Sequence, residues 1–546
     1  MTYLQRLKQP DCMKWGFIAV ALGVAWFNRF VQDDAFISFR YAQNLAEGHG
    51  LVYNIGERIE GYTNFLWTAC MAPAFILNVD IVVWSYMLSL FALVTTLLVT
   101  AELASRWFKS PVAGYLSIIL LATNYSFSCY ATGGLETQFG IAWLMLSIWL
   151  LHTGRLVPAA LCSACAILTR MDAVLILFPF WCAAASFGDI LKGSYKRPLR
   201  VVLAASAGAL PVLIWLLCRH SYYGAWLPNT FLIKEQGPTP LRGVYYVCLF
   251  YAVYGFWLLM PLLRKTSLKR VDLKRHLPIL FAIVLWHIYI ISVGGDFMEF
   301  RMMMPTLPLV MLLAAGLLAS AKTDEKTIRQ KIALAIIPVW ACISLFLGVM
   351  KFDYPMMDTI PQLKVFHEEC RTLSKEINAL LDKQQRGSVK IGVTAAGIIP
   401  FYTQMPTLDL LGLNSREVAL TGARIRHLKH FGNRPGHVRI ATYETVMASG
   451  VNLLVNHPWV VKADSEILSW DTKDILRYWL LGKTSNPDLV YVCRVFFPPS
   501  GIPTPTIIAW PLSDGRYWLT AYLNPHPAVD EAIQRVGATL ILPTHE

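Results

Sequence analysis

Apolar runs alternate with short polar connections over roughly the first 351 residues. They fall near 15–30, 81–103, 111–127, 137–152, 156–169, 172–187, 201–219, 243–262, 277–293, 303–320 and 332–350. Runs of about 17 to 25 apolar residues are long enough to cross a bilayer, so the pattern predicts an α-helical polytopic membrane region with about eleven transmembrane helices. Past residue 351 the alternation weakens. "SVKIGVT" and "VNLLVNHP" have the short β-type pattern, and "FHEECRTLSKEINALLDKQ" has a helical period. The predicted organisation is a transmembrane domain over 1–351 and a soluble α/β domain over 352–546.

Loop charge orients the predicted spans. Arg6, Lys8 and Lys14 precede the first one. Lys192, Lys196, Arg197 and Arg200, then "RKTSLKRVDLKR" at 264–275 and "KTDEKTIRQK" at 322–331, all fall on the same side as the N-terminus. Cytoplasmic loops carry such an excess of Lys and Arg. The N-terminus is therefore expected in the cytoplasm and the C-terminal domain outside it. This works only if "NFLWTACMAPAFIL", 64–77, does not cross. Its fourteen residues are few for a span and suit a helix at the interface. Residues 31–80 then form one long extracytoplasmic loop.

Composition agrees. Of 546 residues, 55% are hydrophobic and 15% charged, with a mean hydropathy of +0.46, where a soluble protein carries about a quarter charged residues. The net charge of +13 sits in short loops, so a nucleic-acid partner is not expected. No small-x-small cleavage site follows the first apolar run, which reads as a retained anchor. Cys162 and Cys165 form a CxxC inside an apolar run with no second pair to complete a metal site. Cys370 and Cys493 lie in the C-terminal domain, and their pairing is left open.

The segments expected outside carry isolated acids, single arginines, Tyr and Trp. They are "DDAFISFRYAQNLAEGHGLVYN", "TGGLETQ", "TRMD", "SYYGAWLPNTFLIKEQ" and "GGDFMEFRMMMP". Asp34 is placed to cap a short helix whose apolar side holds Phe36, Ile37, Phe39 and Leu45, with Gly48 and Gly50 ending it. Asp33, Asp34, Glu136, Asp172 and Asp296 are expected to face Arg40, Arg170, Lys234 and Arg301. A carboxylate can take a proton from an attacking hydroxyl, and Arg or Lys can hold a phosphate that leaves with negative charge. Together they suit transfer of a sugar from a lipid phosphate to an alcohol. Each has a plainer reading: Glu136 as a helix cap, Arg170 with Asp172 as an ion pair, Asp296 with Arg301 as an ordered turn, Lys234 as a solvated loop lysine. His49, between two glycines, is a further candidate. Tyr222, Tyr223 and Trp226 read as interfacial anchors before sugar platforms.

With "EGYTNFLW", "LTRMD", "YYGAWLPNT", "GVTAAGIIPFYTQMPTLDLLGLN" and "PGHV", these motifs resemble the GT-C glycosyltransferases, and within them the terminal β-1,2-arabinofuranosyltransferases of the AftB type. The resemblance runs over most of the chain. It implies inverting transfer of a sugar, arabinofuranose or another pentose or hexose, from a polyprenyl-phosphate donor on the outer face of a bacterial inner membrane. The acceptor would be a cell-envelope glycan, lipid or protein. Carried over by position, the resemblance makes Asp33 the general base with Asp34 as helper, and puts Arg170 and Arg301, then Lys234 and Arg40, on the donor phosphate. Asp409, Asn414 and His437 are candidate acceptor contacts, with loop structure and packing as the plainer and preferred reading. No cofactor is implied, although two neighbouring acids can also hold a divalent ion. Two other functions compete: a flippase or exporter of lipid-linked sugars, and a non-enzymatic envelope-assembly factor. The acids gather at one face and the spans are apolar at mid-depth, which disfavours transport.

Overall fold

The computed structural model describes residues 3–186, 198–233, 239–258, 273–321, 328–347, 357–424, 438–456, 459–472, 474–475 and 505–542. The predicted inner loops at 264–272 and 322–327, Lys192, Lys196 and Arg197, and the candidates Lys234, His437 and Cys493 lie outside them.

Every apolar run predicted as a span falls on a helix. In order these are Tyr3–Phe27, Ile81–Trp107, Pro111–Ala122, Thr137–His152, Leu156–Thr169, Val174–Ser186, Pro198–Tyr223, Pro240–Val253, Leu273–Val293, Leu307–Ala321 and Ile328–Phe346. Among the described residues, four helical stretches are long and apolar enough to cross a membrane: Ile81–Trp107, Pro198–Tyr223, His276–Val293 and Arg301–Ala319. The long Ile81–Trp107 helix is a hub, packing on Pro111–Ala122, Thr137–His152 and Leu307–Ala321. It starts where Asp80 accepts the free Val82 and Val83 N–H groups (2.9 and 3.0 Å), the ordinary way to satisfy a helix start. Residues Phe65–Ile76 form a separate short helix. It packs on Asp33–Ala46, with Trp67, Met71 and Ala74 fully buried.

The C-terminal domain is sheet-containing. Strands β1 (Ile391–Val393), β2 (Thr407–Asp409), β5 (Leu453–Asn456), β7 (Thr506–Pro511), β8 (Arg516–Tyr522) and β9 (Thr539–Ile541) run in the order β2-β1-β5-β8-β7-β9, with β6 (Val460–Lys462) also on β8. β1 is parallel to β2 and β5, and the other pairings are antiparallel. A two-stranded ribbon, β3 (Ala423–Arg424) with β4 (Arg439–Ile440), stands apart. The "SVKIGVT" and "VNLLVNHP" runs hold β1 and β5, where Ile391 and Val393, then Leu453, Leu454 and Val455, are buried as a parallel core requires. The helix Ile360–Leu380 opens with a capping box, Thr359 with Gln362. It buries Leu363, Cys370, Leu373 and Ile377 along one face. Cys370 is a free, fully buried thiol.

This domain is packed against the polar loops at one end of the helix bundle. Tyr41, Tyr53, Phe36 and Phe39 from the first loop share one continuous core with Ile398, Ile399 and Phe401.

Candidate active site

The first loop begins with the helix Asp33–Ala46, which buries Phe36, Phe39 and Tyr41 completely. Gln32, not Asp34, is its cap: the Gln32 side chain accepts the Asp34 N–H. Asp33 and Asp34 are thus the first two residues of the helix and point in different directions. Asp33 is 6% exposed. Its Oδ1 accepts the Ile398 N–H at 2.8 Å and its Oδ2 accepts the Gly397 N–H at 3.1 Å. The expectation that Asp34 caps the helix is therefore corrected, and both Asp33 oxygens are engaged by main-chain N–H groups. Asp33 caps a helix of the C-terminal domain, Ile398–Thr403. Burial pushes its carboxyl up to about 7, against the two N–H groups, which favour the charged form.

Asp34 is half-buried, and its charge acts on Arg301. Arg301 donates Nε to Asp296 Oδ2 at 2.6 Å. Asp296, the acid of the "GGDF" turn, also accepts the Phe297 N–H (2.8 Å). Gly294 and Gly295 both have positive φ, 81° and 75°, a region that favours glycine. Arg242 donates to the main-chain oxygens of Gly294 and Asp296, locking this turn.

Arg170 completes the cluster. It grips Asp172 with two nitrogens (Nε–Oδ1 3.1 Å, Nη2–Oδ2 2.6 Å) and donates Nη1 to Glu136 Oε1 at 3.0 Å. Glu136 does not cap the next helix through its side chain. Its other oxygen accepts Asn64 Nδ2 (2.9 Å), and Asn64 Oδ1 accepts Ser38 and Thr68 hydroxyls (3.1 and 3.0 Å). The charges of Asp296 and Glu136 also act on Arg301. Asp34, Glu136, Asp172, Asp296, Arg170 and Arg301 are thus brought together from four loops. Two arginine side chains, 24% and 15% exposed, lie amid four carboxylates in a partly desolvated place, where charges act on one another more strongly than in water.

The other candidates lie elsewhere. Arg40 is buried and spends its guanidinium on Tyr53 O, Pro400 O, Met405 O and Asn54 Oδ1 (2.7, 2.9, 2.9 and 3.3 Å). It ties the loop to the C-terminal domain and does not reach out to a phosphate. Asp409, 1% exposed, accepts the N–H groups of Leu411, Gly412 and Asn414 and the Asn414 amide. Asn414 Oδ1 accepts the Tyr41 hydroxyl. Both residues are buried in a turn under the first loop. His49 is on the surface, 3.9 Å from Glu47. Tyr223 is buried and donates to Leu51 O at 2.7 Å, whereas Trp226 is exposed and stacks on His220. Among the described residues no group of three or more His, Cys, Asp or Glu forms a metal-holding cluster.

Two buried groups were not foreseen. Glu60 and Arg219 form an ion pair of 2.5 Å, 4% and 1% exposed. Glu299 accepts the Ser126 hydroxyl (2.5 Å) and the Ile360 N–H (3.0 Å).

The raised carboxyls give a pH prediction. A carboxyl whose folded pKa exceeds its unfolded value of 3.8 binds its proton better when folded. Its stabilising share is complete below pH about 4 and is lost as pH rises through the folded pKa. Asp33, at about 7, and Asp409, at about 6, both act in this direction. The melting temperature of the solubilised protein should therefore carry a falling component from pH 4 to 7. Asp33→Asn should flatten that component, and an unchanged slope would show that Asp33 does not titrate there.

Solved structures share this architecture. ArnT from Cupriavidus metallidurans bound to undecaprenyl phosphate superposes with a TM-score of 0.56 at 13% identity, covering 92% of this chain and 97% of that one. The archaeal oligosaccharyltransferase AglB from Archaeoglobus fulgidus, in complex with an inhibitory peptide and a dolichol-phosphate, gives 0.52 at 10% identity, covering 96% and 75%. The chain has the GT-C fold. With this fold and this run of apolar helices it is a multi-pass membrane protein. By sequence it is similar to the terminal β-(1→2)-arabinofuranosyltransferases of Corynebacterium glutamicum, 27% identical over 365 residues, and of Mycobacterium tuberculosis, 28% over 386. These matches cover 58% and 61% of this chain and span only 52% and 59% of the relatives' own lengths. Residues 365–493 match a family model described as a domain of unknown function, DUF8728.

Proposed function

We propose that this protein is an inverting glycosyltransferase that moves a sugar, arabinofuranose first among the candidates, from a polyprenyl-phosphate donor to a hydroxyl of a cell-envelope glycan, lipid or protein. The observation that carries the reading is the pair of ion-paired arginines, Arg170 on Glu136 and Asp172 and Arg301 on Asp296, at the end of the bundle that bears the C-terminal domain. The names of the relatives at 27% and 28% identity support the sugar, and the undecaprenyl phosphate and dolichol-phosphate in the solved neighbours support the lipid. We place this end on the extracytoplasmic face of the inner membrane, with the N-terminus cytoplasmic, from the loop charges.

In this reaction the acceptor oxygen attacks the anomeric carbon while the bond from that carbon to the phosphate oxygen breaks. The proton of the hydroxyl passes to Asp34, and the electron pair of the broken bond leaves on the polyprenyl phosphate, whose charge Arg170 and Arg301 stabilise. Glu136, Asp172 and Asp296 hold the two arginines in place. Asp33 takes no part in the proton transfer, and the arginines supply the positive charge without an assigned metal or cofactor.

The test is transfer by purified protein from a polyprenyl-phosphate arabinofuranose to an arabinan oligosaccharide. Movement of the intact lipid across vesicles with no product would support an exporter instead. Arg301→Ala should weaken undecaprenyl phosphate binding about ten- to a hundredfold, the equivalent of one lost charge-assisted contact of roughly 1.5 to 3 kcal/mol. Because that change strands Asp296, it is paired with Arg301→Ala/Asp296→Asn. Unchanged affinity in both variants removes Arg301 from the site.

A further inference from the structure

Two buried carboxylates, Asp33 and Glu299, stand beside the two halves of the proposed site. Asp33 immediately precedes Asp34. Glu299 lies two residues before Arg301, and between them Phe300 turns the chain through a left-handed conformation, φ 47°. Each carboxylate accepts main-chain N–H groups of the C-terminal domain: Gly397 and Ile398 on Asp33 (3.1 and 2.8 Å), Ile360 on Glu299 (3.0 Å).

The surroundings reinforce both contacts. On the Asp34 side, Arg40 of the same helix donates to Pro400 O and Met405 O, and Tyr53 donates to Ala396 O at 2.6 Å. A Cβ on Gly397 would run into the main chain of Asp33, so the two segments touch backbone to backbone. On the Arg301 side, Glu299 N–H donates to Asp358 O (3.0 Å) and Asp358 N–H to Phe297 O (2.7 Å). Glu299 is also held from the helix bundle, by the Ser126 hydroxyl at 2.5 Å and by the Tyr130 hydroxyl on its main-chain oxygen at 2.7 Å. Both side chains are nearly sealed from solvent, at 6% and 5%.

We infer that the C-terminal domain is a positioning part of the transfer site, setting the separation of Asp34 and Arg301 through Asp33 and Glu299. The inference rests on the glycosyl-transfer reading above. Neither carboxylate touches substrate. Each fixes the main chain from which a reacting group projects, and the domain is the body common to both. A displacement of about 1 Å at a reacting group can cost a hundredfold in rate.

The experiment uses the full chain with Asp33→Ala, Glu299→Ala, the conservative Asp33→Asn and Glu299→Gln, and spin labels at Glu47 and Lys383, both exposed. Expected are a wider or broader label separation in Asp33→Ala and a kcat lowered about ten- to a hundredfold in both Ala variants. KM for the acceptor should hold, and Asn and Gln, which keep one acceptor oxygen, should recover part of the rate. In an Asp34→Asn background, Asp33→Ala should cost no further turnover, because it acts through Asp34. An equal further loss there marks Asp33 as merely structural and overturns the inference, as does unchanged kcat in folded Ala variants. Absence of transfer by the wild type, with the label separation still widened in Asp33→Ala, overturns the reaction and not the domain's hold on the loop. Unaltered separation overturns that hold whether or not transfer is seen.

Discussion

Asp34→Asn is expected to lower turnover at least about a hundredfold, the lower end of what a general base supplies, while undecaprenyl phosphate still binds. The acceptor is an alcohol and attacks poorly unless its proton is taken as the bond forms. Asp34 is the second residue of the Asp33–Ala46 helix, half-buried and in the field of Arg301. Asparagine keeps its size and loses its capacity to take a proton. Asp33→Asn should keep most of the turnover, because the Asp33 oxygens serve the Gly397 and Ile398 N–H groups. Steady-state rates with saturating donor decide between them. If Asp33→Asn is inactive and Asp34→Asn is not, the roles are exchanged; if both turn over normally, neither acid is the base.

The largest stability effect is expected at Arg219→Ala. The Arg219–Glu60 pair is almost completely buried, and Arg219 also donates to Trp226 O at 3.2 Å. Removing one member of a buried pair leaves the other charge unpaired, at a cost of about 3 to 5 kcal/mol. The pair joins the end of the Pro198–Tyr223 helix to the first loop, next to Asn229, whose N–H donates to Glu60 O. The solubilised variant should therefore melt well below the wild type. Glu60→Gln/Arg219→Met should recover much of the loss, since no charge is then stranded. A melting temperature unchanged by Arg219→Ala would mean that water reaches Glu60.

The helical scaffold was legible because an apolar run has one way to satisfy its main chain in lipid. The cluster was legible as well: Glu136, Asp172, Asp296, Arg170 and Arg301 are isolated charges at the ends of such runs. What could not be read was direction. Asp33 and Asp34 are neighbours in sequence, and their duties separate only because Gly397 and Ile398 come up against one of them. Arg40 looks like a phosphate ligand until Pro400 and Met405 present their oxygens to it. Asp409 and Asn414 look like polar contacts until they are seen to close a turn on each other. Glu60, Arg219 and Glu299 gave a weak signal, because a charge in a short segment does not by itself say whether the group is paired inside or exposed.

The clasp between Asp33 and Ile398 also sets an order of events in the making of the protein. Its two partners are 365 positions apart. At ordinary synthesis rates the second follows the first by roughly 20 to 70 s. Throughout that interval the first loop has already left the ribosome, with Asp33 and Arg40 lacking the groups that later enclose them, so both must wait hydrated. The loop therefore cannot reach its final packing as it emerges. It closes only when the late-made domain arrives, and an unfinished chain holds its helices without holding a working site.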